Sequence, residues 1–85
     1  MRARAQVARN IRRIRVLRRI SQEALAVDAA IDRTYVSRLE RGLENPSVAV
    51  LERLARALHC RIAEFFEDSG TGKIATLRPG RKAAK

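Results

Sequence analysis

Tryptophan is absent, and one Tyr and two Phe are the only aromatics, so any core must be built from Leu, Ile, Val and Ala. A single Cys excludes an intramolecular disulfide and a metal site made of cysteines alone, and it fits a reducing cytosol. That Cys60 stands beside the only His, His59, so no His/Cys set can complete a metal site. No apolar run approaches the length of a membrane span. The basic N-terminus lacks the apolar stretch of a signal peptide, which gives the expectation of a cytoplasmic, nucleoid-associated protein with no membrane contact. Strand-type alternation is almost missing, and the helix formers Ala, Leu, Arg and Glu dominate, so an all-α fold is expected.

Acid is missing from both ends. Residues 1–20 hold eight Arg and no Asp or Glu, and residues 73–85 hold five Lys or Arg and no acid. Between them, residues 21–68 carry six Arg against nine acids, so the +10 net charge of the 85-residue chain sits at its ends. Charge arranged in this way seeks a polyanion or keeps copies apart in solution. A chain of this length makes one small domain, marginal alone and helped by dimerising. Paired carboxylates in a cleft-forming context, a His base near a nucleophile and a phosphate-cradling glycine loop are all missing. The chain is therefore expected not to be an enzyme, and to need no cofactor.

Around residues 21–42 the pattern is informative. Leu25, Ala26 and Ala29 mark the inner face of one short helix, and Val36 and Leu39 that of a second. The two break at Ala30-Ile31-Asp32. Ser21 is a plausible N-cap of the first, with Glu23 in its first turn, and the Asp32 carboxylate suits the N-cap of the second. The second helix leaves Arg33, Thr34, Tyr35, Ser37, Arg38 and Arg41 facing outward. That is the layout of a helix-turn-helix whose second helix enters the DNA major groove.

On either side the chain reads as further helix. Residues 1–6 are expected to be a frayed arm. A helix over about 5–18 would bury Val7, Ile11 and Ile14, with Leu17 flanking and the rest of its surface nearly all Arg. Gly42 suits a left-handed helix end, and Pro46 stops any continuation. Ser47 caps a helix whose Leu51, Leu54, Ala55 and Leu58 give the clearest amphipathic signal in the chain. A short fifth helix carries Ile62, Phe65 and Phe66. Residues 68–85, with Ser69-Gly70-Thr71-Gly72 near their start, read as a flexible basic tail after a domain over 7–67.

These residues resemble the lambda-repressor-like helix-turn-helix family of the XRE/Cro (C1) type. The matching segments are Ile11-Arg12, Ile14-Arg15, Ile20-Ser21-Gln22-Glu23-Ala24-Leu25-Ala26, Ile31-Asp32, Val36 through Gly42, Asn45-Pro46-Ser47, and Leu51, Leu54-Ala55 and Ala57-Leu58. Small stand-alone regulators, including restriction–modification controller proteins, are similar in form. The resemblance implies a five-helix bundle. Two positions depart from the pattern: Arg19 and Ala30 stand where the family usually has Gly, and both places favour a left-handed backbone.

The resemblance implies base contacts by Arg33, Thr34, Ser37 and Arg38, and Arg is the natural bidentate partner of guanine. Gln22, at the start of its helix, is expected to meet a phosphate, with Arg41 and Asn45 as further phosphate candidates. Tyr35 either contacts the DNA backbone or packs into the core. Arg12 and Arg13 are read as non-specific phosphate contacts, with a solubilising role as the alternative. Arg15 and Glu40 are expected to form a structural ion pair. Leu58, Ile62, Phe65 and Phe66 are candidates for a dimer surface, with the core as the alternative. The expected function is a sequence-specific regulator binding double-stranded DNA as a homodimer on an inverted repeat. An antitoxin-like module with an unknown protein partner, or a non-specific nucleic-acid binder acting through the Arg-rich termini, are the rival readings.

Overall fold

The computed structural model describes residues 2–68; the expected basic tail lies outside them, apart from Asp68. Four α-helices follow one another, α1 (Arg2–Leu17), α2 (Gln22–Ala29), α3 (Arg33–Glu40) and α4 (Val48–Leu58). The expected fifth helix is instead a five-residue 3-10 segment, Ile62–Phe66, and no strand occurs among the described residues. Nor is any helix among them long and apolar enough to cross a membrane.

Helix α1 begins at Arg2, where the sequence pattern placed a frayed arm over 1–6. Its first turn holds no acid, and cations at a helix N-terminus oppose the macrodipole. Tertiary contact outweighs that: Val7 and Ala8 are buried, and Gln6 Nε2 donates to the Glu67 carbonyl at 3.1 Å. The buried Asn10 strengthens the same contact, donating from Nδ2 to the carbonyls of Phe65 and Glu67, each at 2.8 Å. Leu17, expected to flank the core, is 68% exposed.

Helices α1, α2 and α4 and the loop after α3 all end in one motif, in which the chain enters the left-handed region and two backbone amides turn back to close the last carbonyls. After α1 this is Arg19 (φ +58°), with Arg19 N donating to Val16 O and Ile20 N to Arg15 O. After α2 it is Ala30 (φ +59°), with Ile31 N donating to Ala26 O at 2.9 Å. After α4 it is His59 (φ +55°), which the sequence did not mark. Only after α3 is the residue a glycine, Gly42 (φ +77°), where an added Cβ would meet nothing within 4 Å. Glycine is therefore favoured there by conformation and not by space. Starts are simpler: the Ser21 and Ser47 hydroxyls accept from Ala24 N and Val50 N at 2.9 and 3.1 Å. Asp32 has the backbone geometry of an N-cap, but its carboxylate makes no capping bond, contrary to expectation.

Leu25, Val36, Leu54, Leu58 and Phe65, each fully buried, meet Ile11 and Leu39 in one aliphatic core. α2 packs on α3 and α4, while α1 packs on α3 and the 3-10 segment. Two arginines tie these elements by capping another helix's last carbonyls. Arg53 donates to Ala29 O and Ala30 O at 3.0 and 2.8 Å, and Arg18 donates to Leu58 O and His59 O. The helix-turn-helix is thus held from behind by α4 and beside its C-terminal end by α1.

Candidate nucleic-acid interface

Helix α3 buries Val36 and Leu39 and turns the rest of its surface outward. Arg33, Thr34 and Arg38 are exposed and Ser37 is half-buried, so the four residues expected to face bases lie on the uncovered side. Tyr35 is half-buried and packs against the core. Burial first, and the nearby Glu44 carboxylate second, raise its phenol above the ordinary value, keeping the hydroxyl a proton donor.

What orients α3 is a buried carboxylate at its last residue. Arg15 Nε and Nη2 donate to Glu40 Oε2 and Oε1 at 2.6 and 3.0 Å, and Arg15 Nη1 donates to Ile20 O at 2.8 Å. The Glu40 side chain is only 2% exposed and that of Arg15 13%. Gln22 Nε2 adds a third donor to the carboxylate, at 3.1 Å from Oε1. The end of α1, the start of α2 and the end of α3 therefore meet on one anion. Gln22, expected on a phosphate, already has one amide hydrogen committed here; its amide carries a second. The family resemblance implies the Arg15–Glu40 pairing, whereas the Gln22 bond depends on the crossing of α2 over α3 and has no signal in the sequence.

The arginines of α1 separate into two groups. Arg12 is exposed, and with Arg9, Arg41, Gly42 and Glu40, whose carboxylate is already paired with Arg15, it lines a shallow cleft of about 280 Å³ between α1 and the end of α3. Arg9, Arg12 and Arg41 have no ion-pair partner among the described residues. Arg13, grouped with Arg12 from the sequence, points elsewhere: it donates to Asn10 Oδ1 and lies 4.0 Å from Glu67. Asn45 is exposed in the loop before α4, beside Pro46, Leu51 and Phe66 at a small groove. Arg38 donates from Nε to Glu44 Oε2 at 2.8 Å, a contact with no forewarning in the sequence.

Of the four dimer-surface candidates, Leu58 and Phe65 are fully buried within the protein's own core and have no surface to offer a second copy. Ile62 is half-buried against that core. Phe66 is 47% exposed and is the one that presents an apolar face.

Known proteins share this arrangement of helices. The Helix-turn-helix family model HTH_3 matches residues 11–65, from mid-α1 to the end of the core. The control protein C.MunI of Mycoplasma sp is 39% identical over 49 residues, covering 58% of this chain and 66% of that one. C.BamHI of Bacillus amyloliquefaciens is 38% identical over 63 residues, covering 73% and 78%. The match spans 52% of a Neisseria meningitidis hypothetical transcription factor and 41% of the Bacillus subtilis regulator SlrR, so about half of each of those longer relatives lies outside it. Among solved structures, the controller protein C.AhdI from Aeromonas hydrophila superimposes with a TM-score of 0.71 at 35% identity, covering 73% of this chain and 94% of that one. C.Esp1396I, solved as a tetramer in complex with its natural 35 base-pair operator, gives 0.70 at 33% identity, covering 75% and 84%. On its sequence, its fold and the match over residues 11–65, the chain belongs to the XRE/C1-type helix-turn-helix family of DNA-binding transcription regulators.

Proposed function

We propose that the chain is a sequence-specific, double-stranded-DNA-binding transcriptional regulator that acts as a homodimer on an inverted-repeat operator, with α3 in the major groove. The observation that carries this reading is the Glu40 anchor. A recognition helix with an uncovered polar face is fixed at its end by three donors from two other helices, the rigidity that reading base edges requires. In this reading Arg33, Thr34, Ser37 and Arg38 meet bases. Arg12 and Arg41 line a cationic cleft suited to a phosphate, and Gln22 and the start of α2 supply a second phosphate contact. Tyr35, with its hydroxyl protonated, donates to the backbone, and Asn45 meets it from the loop. One α3 reads only a few base pairs, and two related by a two-fold axis read half-sites about one helical turn apart, roughly 34–36 Å. The exposed Phe66 is the apolar residue offered to the second copy. The protein acts where the chromosome is, in the cytoplasm.

The test is selection of bound duplexes from a random library at fixed salt. An enriched inverted repeat is expected. Binding without an enriched motif would favour a non-specific binder using the Arg-rich ends. No DNA binding, together with a co-purifying protein, would favour an antitoxin-like module.

A further inference from the structure

The loop that follows α3 returns to the face that α3 exposes. At Gly42 the backbone enters the left-handed region, and Leu43 N donates back to Arg38 O at 2.9 Å. This reversal brings Glu44, six residues on, alongside the Arg38 side chain, and Glu44 Oε2 accepts from Arg38 Nε at 2.8 Å. Both groups keep contact with solvent, at 46% exposure for Arg38 and 28% for Glu44. The Glu44 carboxylate also lies near enough to Tyr35 to raise its phenol. An anion placed on a surface meant for DNA opposes every phosphate that approaches, so it weakens binding to any duplex alike. Its presence beside Arg38 has to be accounted for by something that depends on the base.

The geometry of the pair supplies that. A guanidinium carries five N–H donors in one plane, and Nε is the one that Glu44 occupies. Nη1 and Nη2 of Arg38 have no partner among the described residues, and together they form the end-on fork that matches O6 and N7 of guanine. An exposed arginine without a partner samples many rotamers and loses that freedom on binding. One held at Nε has much of its direction set beforehand. Resting on the reading that α3 enters the major groove, we propose that Glu44 is a positioning residue for base recognition, holding Arg38 by Nε so that its two Nη groups face a guanine. The arrangement favours specificity at the expense of general affinity, because the same carboxylate repels backbone phosphate.

Titration of labelled duplexes with the full chain at one salt concentration tests this. The duplexes carry each of the four base pairs at the position whose preference Arg38→Ala abolishes, alongside a random duplex. Glu44→Ala is expected to lower guanine preference at that position by about fivefold or more. It should leave preferences at other positions unchanged and tighten binding to the random duplex. Glu44→Gln, whose amide oxygen can still accept from Nε, is expected to keep most of the preference. Sharper guanine preference in Glu44→Ala would overturn the proposal and make Glu44 a latch that DNA must displace. Equal loss at every position would also overturn it, pointing to general damage to the loop. If wild-type protein selects no base, or Arg38→Ala alters no preference, the major-groove reading itself fails and this proposal with it. A selective wild type with an unaffected Glu44→Ala removes the role of Glu44 alone.

Discussion

Arg15 on α1 holds the carboxylate of Glu40 at the end of α3 through two parallel N–H bonds, 2.6 and 3.0 Å, in a site from which water is almost wholly excluded. A buried pair of this kind adds little net stability over apolar packing, but breaking it strands a charge. Glu40→Gln and Arg15→Met are each expected to cost about 3–5 kcal/mol in chemical denaturation, and the double variant less than their sum. Additive losses would show that the two side chains do not act as a unit.

Strain stored in the backbone gives a second prediction. Ala30 ends α2 at φ +59°, a conformation that costs a residue with a Cβ about 1–2 kcal/mol relative to glycine. Part of that is offset by the greater freedom of glycine in the unfolded chain. Ala30→Gly is expected to stabilise by about 0.5–1 kcal/mol, raising the melting temperature by a few degrees. A lower melting temperature would count against it.

These two sites show what could be read from the sequence and what could not. The apolar spacing of Ile11, Leu25, Val36, Leu39 and Leu54, together with the Ser21 and Ser47 caps, is local information, and the helices and core follow from it. The resemblance supplied the Arg15–Glu40 pairing and the unusual backbone at Arg19 and Ala30. Hidden were features that depend on how elements cross in space. Asn10 tying α1 to the 3-10 segment, Arg18 and Arg53 capping foreign helices, and Glu44 on Arg38 all join residues whose types are also common on a solvated surface. For the same reason α1 starts earlier than its local sequence suggests, since Gln6 and Asn10 find partners some sixty positions away, at Phe65 and Glu67.

The adjacent phenylalanines should separate stability from assembly. Phe65 is fully buried, so Phe65→Ala is expected to cost about 3–5 kcal/mol. Phe66→Ala, at a site 47% exposed, should leave the monomer's fold intact and weaken dimerisation, measured by sedimentation. A dimer as tight as wild type would move the dimer surface away from Phe66.

Neighbouring arginines on α1 should differ in their response to salt. Arg12 and Arg41 line the open cleft without an acidic partner, so replacing either with Ala should make the slope of log K against log salt shallower by about 0.9. Arg13, engaged by Asn10 and Glu67, should change the slope little. Equal changes at Arg12 and Arg13 would show that α1 acts as a diffuse charge and not through a defined cleft.

In the proposed function, the exposed face of α3 chooses the DNA sequence. The most direct measurement is the ratio of affinities for a selected operator and for random duplex, compared between the wild type and the variants Arg33→Ala and Arg38→Ala. Loss of a bidentate base contact is expected to lower that ratio by about fivefold to a hundredfold. Affinity for random DNA should fall far less, because α1 and the phosphate contacts remain. A ratio unchanged in both variants would place sequence choice outside α3.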